Sequence, residues 1–214
     1  WHDKFGPNNF SEEWLESWQK RKFCCMVVSN PHAKERINFF NALSKYKKVD
    51  SGGKVLNNIG KPVSDKLEFI SQYKFVISFE NSVHPGYVTE KIFEPFVSNS
   101  IPLYHGDPMI STEVNAGSFI NVDASQPEEA IERIKQIEQD SLRVLGMLNT
   151  HKFASQESPS YLKKEYLAEF LNHIILKHDA SPIAGSNKKY LHYAKRKWST
   201  AKALYKKYTG NNFR

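Results

Sequence analysis

At 214 residues, 40% hydrophobic and 25% charged, the chain has the length and composition of a globular protein with one well-buried core. No apolar run approaches the roughly 18–20 residues of a membrane-crossing helix, and there is no internal repeat or low-complexity tract. The formal charge of +7 is concentrated at the carboxyl end, where residues 187–214 hold Lys188, Lys189, Lys195, Arg196, Lys197, Lys202, Lys206, Lys207 and Arg214 and no acidic residue.

Residues 1–21 read as a lead-in or linker remnant, with Gly6, Pro7 and Asn8-Asn9 in a loop and Ser11-Glu12-Glu13 opening a helix at Trp14. From Phe23 onward strands alternate with helices. A strand is predicted over 23–28, a helix over about 33–46 with Ile37, Phe40 and Leu43 on one stripe, a short strand at 48–50, a glycine-rich loop at 51–60 and a helix at 64–72. A strand ending at Phe79, a helix carrying Ile92, Phe93, Phe96 and Val97, and a strand from Ile101 to Tyr104 follow. Then come a strand at 119–122 and helices at 127–139, 140–149 and 159–177. Such alternation predicts an α/β fold, a mostly parallel, doubly wound, Rossmann-like sheet covered on both faces. The domain spans 22–179, and 180–214 form a hinge, with Pro182 and Gly185, and a basic amphipathic tail.

The only cysteines, Cys24 and Cys25, are neighbours in a strand and point to opposite faces, so they are poorly placed to bridge. No CxxC or Cys/His spacing suggests structural zinc, and two buried free thiols suit a reducing compartment.

Most of the chemistry lies in residues 79–106, FENSVHPGYVTEKIFEPFVSNSIPLYHG. A loop beyond the carboxyl end of a strand leads into a helix whose first turn has unpaired N–H groups and a partial positive charge, a place for an anion. Lys91 there can neutralise a phosphate, while the carboxylate of Glu90 can accept hydrogen bonds from a vicinal diol such as a ribose.

Three ordered motifs resemble the carboxyl-terminal, donor-binding half of the α-1,3-fucosyltransferases, family 10 of the glycosyltransferases. They are Val27-Val28-Ser29-Asn30-Pro31 followed by Arg36, Val49-Asp50-Ser51-Gly52-Gly53, and Phe79-Glu80-Asn81-Ser82 followed by Tyr87-Val88-Thr89-Glu90-Lys91 and Ile101–Gly106. The resemblance covers about residues 22–125 and fades toward 175. It implies one half of a two-domain GT-B enzyme that moves L-fucose from GDP-fucose, with inversion, to a hydroxyl of N-acetylglucosamine or glucose in a glycan. Arg36 would contact the donor diphosphate and, with Lys91, stabilise the leaving GDP. Asn81, Glu90 and Tyr87 would meet the donor, Tyr87 packing on the nucleoside unless its ring is a core tyrosine. Gly52 and Gly53 would allow guanine to approach, although turns alone also use glycine.

The chain has no Asp-x-Asp pair to hold a divalent ion, so protein cations are expected to do that work, with no cofactor beyond the donor. His84 and His105 border the same loops without a counterpart in the family pattern. The catalytic base and most acceptor contacts belong, in the family, to an amino-terminal half not seen in this chain, which starts at Trp1 and reads as trimmed or as a piece of a longer protein. Animal members are secretory-pathway enzymes with disulfides, so the free thiols point to a bacterial-type, cytoplasmic protein rather than the Golgi lumen. Two alternatives stand beside the enzyme: a GDP-sugar-binding module without turnover, and a nucleic-acid-binding protein acting through the tail, for which no recognition motif is present. A helix over about 188–208 would place Tyr190, Trp198 and Tyr205 beside a basic face, suited to an anionic membrane where lipid-linked glycans such as lipopolysaccharide are made, or to packing on the missing half.

Overall fold

The computed structural model describes residues 5–157 and 163–176. Five strands, β1 (Lys22–Met26), β2 (Val49–Ser51), β3 (Tyr73–Phe79), β4 (Ile101–His105) and β5 (Ile120–Asn121), form a parallel sheet in the order β2-β1-β3-β4-β5. Parallel neighbours require crossovers, and these supply the helices α2 (Lys34–Tyr46), α3 (Lys66–Ile70) and α4 (Glu90–Val97); α1 (Glu12–Gln19) precedes the sheet, and α5 (Pro127–Gln139) and α6 (Ser141–Asn149) follow β5. The expected doubly wound α/β architecture is the observed one.

Burial explains where α1, α2, α3, α5 and α6 sit. Leu15 and Trp18 of α1, Phe39, Phe40 and Leu43 of α2, Ile134 and Ile137 of α5 and Val144 of α6 pack with Cys24, Phe75, Ile77 and Leu103 of the sheet. A smaller cluster joins Cys25 and Val76 to Phe69, Ile70 and Tyr73. Cys24 and Cys25 are thus buried, free and in separate clusters, and burial pushes both thiols well up. Residues 1–21 do more than lead in. Ser11 caps α1 by accepting from the Trp14 N–H at 3.2 Å, and the buried Trp18 indole donates to the Asn99 carbonyl at 2.8 Å.

The chain divides into two compact units, Trp1–Pro159 and Ser160–Arg214. The second contains α7 (Lys164–Leu176), which the sequence pattern assigns to the nucleotide-binding domain; none of its residues is buried. The predicted hinge and the basic helix over 188–208 lie outside the described residues. No helix among those described is long and apolar enough to cross a membrane.

Candidate functional site

In the strand order, β1 and β3 are neighbours while the chain departs from them toward opposite edges, to β2 and to β4. Loops leaving such a pair diverge and open a crevice beyond the carboxyl ends of the strands, where ligands of doubly wound sheets sit. Here the loop after β1 leads into α2 and the loop after β3 leads into α4.

Arg36 joins these two connections. The sequence stripe of α2 predicts an inward Ile37, but the structure buries Arg36 with Phe39, Phe40 and Leu43, and leaves Ile37 only half-buried. The first turn of α2 stands at the open end of the sheet, where the groups to be met are polar. The Arg36 guanidinium donates to the Phe79 carbonyl, the last of β3, and to Oδ1 of Asn81 at 3.1 Å. Burial lowers the pKa of this guanidinium and the charge of Glu80 opposes that loss; a guanidinium stays protonated under such a shift. Asn81 is otherwise exposed, on a small cleft shared with His32, Glu35, Arg36 and Glu80.

Lys91 borders, with Arg36, Ser78 and Phe79, a second small cavity. Its ammonium donates to the Thr89 hydroxyl at 2.8 Å and pairs with Glu80 at 3.1 Å, with Glu90 at 3.6 Å. The sequence pattern leaves the first turn of α4 open for an anion, but the structure puts a protein anion there. Glu80, directly after β3, has a fully buried side chain, and its Oε1 accepts from the Thr89 N–H at 2.8 Å and hydroxyl at 2.9 Å. Thr89 is the residue before α4, so Glu80 ties the end of β3 to the start of that helix. Gly106 makes room for it: a Cβ there would lie 2.6 Å from Cγ of Glu80.

Glu90 is half-exposed at 53%, with one carboxylate oxygen 3.6 Å from the Lys91 ammonium. Partial burial pushes its carboxyl up, but its own backbone N–H, Lys91, Lys66 and the Thr89 hydroxyl outweigh this, and its pKa is lowered. Tyr87 resolves to the surface rather than the core, on a turn closed by its N–H to the His84 carbonyl at 3.1 Å. Gly86, at φ +77°, supplies the left-handed conformation of that turn. Gly52 and Gly53 have an internal explanation. A Cβ on Gly53 would fall 2.0 Å from the Val28 carbonyl oxygen, and one on Gly52 2.7 Å from Val63. Their lack of a side chain is accounted for by packing, without a ligand.

His84 is exposed, whereas His105 is held. Its Nδ1 lies 2.9 Å from the Val122 carbonyl, which can only accept, so Nδ1 carries a proton and Nε2 faces Glu35 at 3.4 Å. Glu80, Glu35 and the fixing of His105 are absent from the sequence-based site. The signal for Glu80 was present: a carboxylate directly after a largely apolar strand and eleven residues before a lysine is a buried charge in want of a partner.

Comparison with known proteins bears on this arrangement. Residues 17–165 match the family model described as Glycosyltransferase family 10 (fucosyltransferase) C-term. Over 143 residues the chain is 41% identical to Alpha-(1,3)-fucosyltransferase FucT of Helicobacter pylori, covering 66% of this chain and 30% of that one. It is 34% identical over 150 residues to human 4-galactosyl-N-acetylglucosaminide 3-alpha-L-fucosyltransferase 9, covering 66% of this chain and 40% of the relative. Its fold is similar to a crystal structure of alpha1,3-fucosyltransferase with GDP-fucose, at TM-score 0.65 and 36% identity over 79% of this chain and 51% of that chain. It is likewise similar to one with GDP, at TM-score 0.66 and 38% identity over 76% and 49%. The chain therefore spans less than half the length of these curated relatives.

Proposed function

This chain belongs to glycosyltransferase family 10, and from that premise we propose that it is the donor-binding half of an α-1,3-fucosyltransferase, taking GDP-fucose in the crevice beyond β1 and β3. The observation that carries this reading is the anchoring of Arg36 to Phe79 and Asn81 at the strand-order switch, with Lys91 bordering the same small cavity. Two cations on separate elements, both fixed before any ligand arrives, suit the two phosphates of a nucleoside diphosphate. The crystallised relatives with GDP and with GDP-fucose, at 38% and 36% identity, support that choice of ligand.

In the reaction, the bond from the anomeric carbon of fucose to the diphosphate oxygen breaks while an acceptor hydroxyl attacks from the opposite face, so the sugar is inverted. Negative charge grows on the departing GDP. Arg36 and Lys91 meet it as preorganised positive charge, and losing one such group costs on the order of 10²–10³ in rate in a shielded site. The exposed carboxylate of Glu90 accepts from the ribose hydroxyls, and the surface ring of Tyr87 packs on the nucleoside. Neither role needs a metal ion. The base that takes the acceptor proton lies outside this chain, and the acceptor is an N-acetylglucosamine or glucose unit of a glycan.

Calorimetry of the intact chain tests the donor assignment. GDP is expected to bind with UDP and CMP much weaker, and EDTA is expected to change nothing. Arg36→Ala and Lys91→Ala should weaken GDP at least tenfold more than guanosine, about the worth of a charge-assisted hydrogen bond, whereas Glu90→Ala should weaken both. Equal affinity for GDP and UDP, or identical losses for GDP and guanosine in all three variants, would refute it.

A further inference from the structure

Glu80 is a carboxylate where an anion-binding site should not need one. Its side chain is fully buried, with Oε1 held by the N–H and hydroxyl of Thr89 and Oε2 held by the ammonium of Lys91. Its field also reaches Arg36, where it opposes the lowering that burial imposes on the guanidinium. It acts likewise on the other side, where burial first, and then Glu80 and Asp107, push the Tyr104 phenol up to about 12, with the Asp107 N–H to that phenol working against them. The carboxylate is built in rather than accidental, because Gly106 leaves the space its stem occupies. A diphosphate arriving between Arg36 and Lys91 therefore meets cations that already have a partner.

We propose that Glu80 is the resident counter-ion of the phosphate site: it holds Lys91 and balances Arg36 while the crevice is empty, and it weakens the grip on the diphosphate so that the product leaves. The inference rests on the reading of the crevice as a diphosphate site. Two effects of Glu80 oppose one another. By fixing the rotamers of Lys91 it prepays an ordering cost, which favours ligand binding by about tenfold. By placing a negative charge near the phosphates it disfavours binding by about a hundredfold, taking a separation of roughly 6 Å and an effective dielectric constant of about 20. Repulsion wins, and the consequence runs against intuition: removing a residue that contacts the phosphate-binding lysine tightens the complex.

Glu80→Gln is the test, since the amide keeps an oxygen for the Thr89 N–H and the volume of the buried side chain. GDP, inorganic pyrophosphate and guanosine are titrated calorimetrically into the intact native and variant chains. The variant is expected to bind GDP and pyrophosphate about tenfold more tightly and with a steeper salt dependence, with guanosine unchanged within about twofold. GDP bound equally or more weakly by a folded variant, while the native chain binds it, overturns the counter-ion role and leaves the donor site standing. A parallel gain for guanosine overturns it too, because a change of charge at the phosphates cannot reach a nucleoside. No binding of GDP by the native chain at millimolar concentration removes the donor reading and this inference with it. Should Glu80→Gln fail to fold, Glu80→Asp decides: retained charge keeps GDP affinity within about threefold, whereas loss of tenfold or more would show that the reach of the side chain matters rather than its charge.

Discussion

Glu80 and Lys152 are both buried within the first unit, yet they are held by different kinds of partner. Glu80 faces a side-chain cation, Lys91, itself 19% exposed at the edge of the crevice. Lys152 donates to the carbonyls of Met147 and Leu148, at 3.1 and 2.8 Å, in the last turn of α6, and lies over the ring of Phe96. Helix carbonyls at a carboxyl end carry partial negative charge, so the ammonium caps α6 through the backbone. The difference separates two uses of a buried charge. A partner on a long, partly exposed side chain can be exchanged for a ligand, while backbone carbonyls cannot leave, so Lys152 serves the fold, whereas Lys91 can turn away from Glu80.

The strongest way to break this comparison is Lys91→Met. It leaves Glu80 buried with only Thr89 to satisfy it, and stranding one member of a buried pair costs about 3–5 kcal/mol. Urea unfolding at pH 7 reads the loss; a change below about 1 kcal/mol would mean that Glu80 is not dependent on Lys91.

A smaller effect comes from Lys152, whose pKa burial lowers to about 8. In the unfolded chain a lysine titrates near 10.4, so between these values the unfolded state binds more protons and stability rises with pH. The penalty of burying the ammonium is complete below about pH 8 and is relieved by about pH 10.5, an effect on the order of 2 kcal/mol. Cys24 and Cys25, with raised pKa values, act in the opposite sense, so the comparison must be a difference between native and Lys152→Met unfolding curves. The variant should lose ground to the native protein from pH 8 to 10, and a pH-independent difference would refute the assignment. At pH 7 the smallest effect is expected: lost capping offsets the relieved desolvation, and the two proteins should agree within about 1 kcal/mol.

Much of the site could be read before the fold was known, because its members sit at strand ends and helix starts that local patterns mark. Arg36, Asn81, Glu90 and Lys91 all fall where an α/β sheet opens. What could not be read was which of them are free. Lys91 is engaged by a residue eleven positions back, and Arg36 by one forty-three positions on. Gly52 and Gly53 invite a ligand-based reading until Val28 and Val63 are seen against them. Tyr87 could pack inward or outward on the same sequence, and the turn at Gly86 leaves it outside.

The sequence by itself determined the alternation of strands and helices and the class of fold, since the period of apolar residues and the turn residues act within a few positions of one another. It also determined the presence of an arginine and a lysine at the carboxyl end of the sheet. Only the tertiary structure decided that β1 and β3 lie side by side, that Arg36 rather than Ile37 turns inward, and that a buried carboxylate occupies the start of α4. These outcomes depend on contacts between distant segments, and a charge reveals whether it is free or already paired only once the chain has brought its partners within hydrogen-bonding reach.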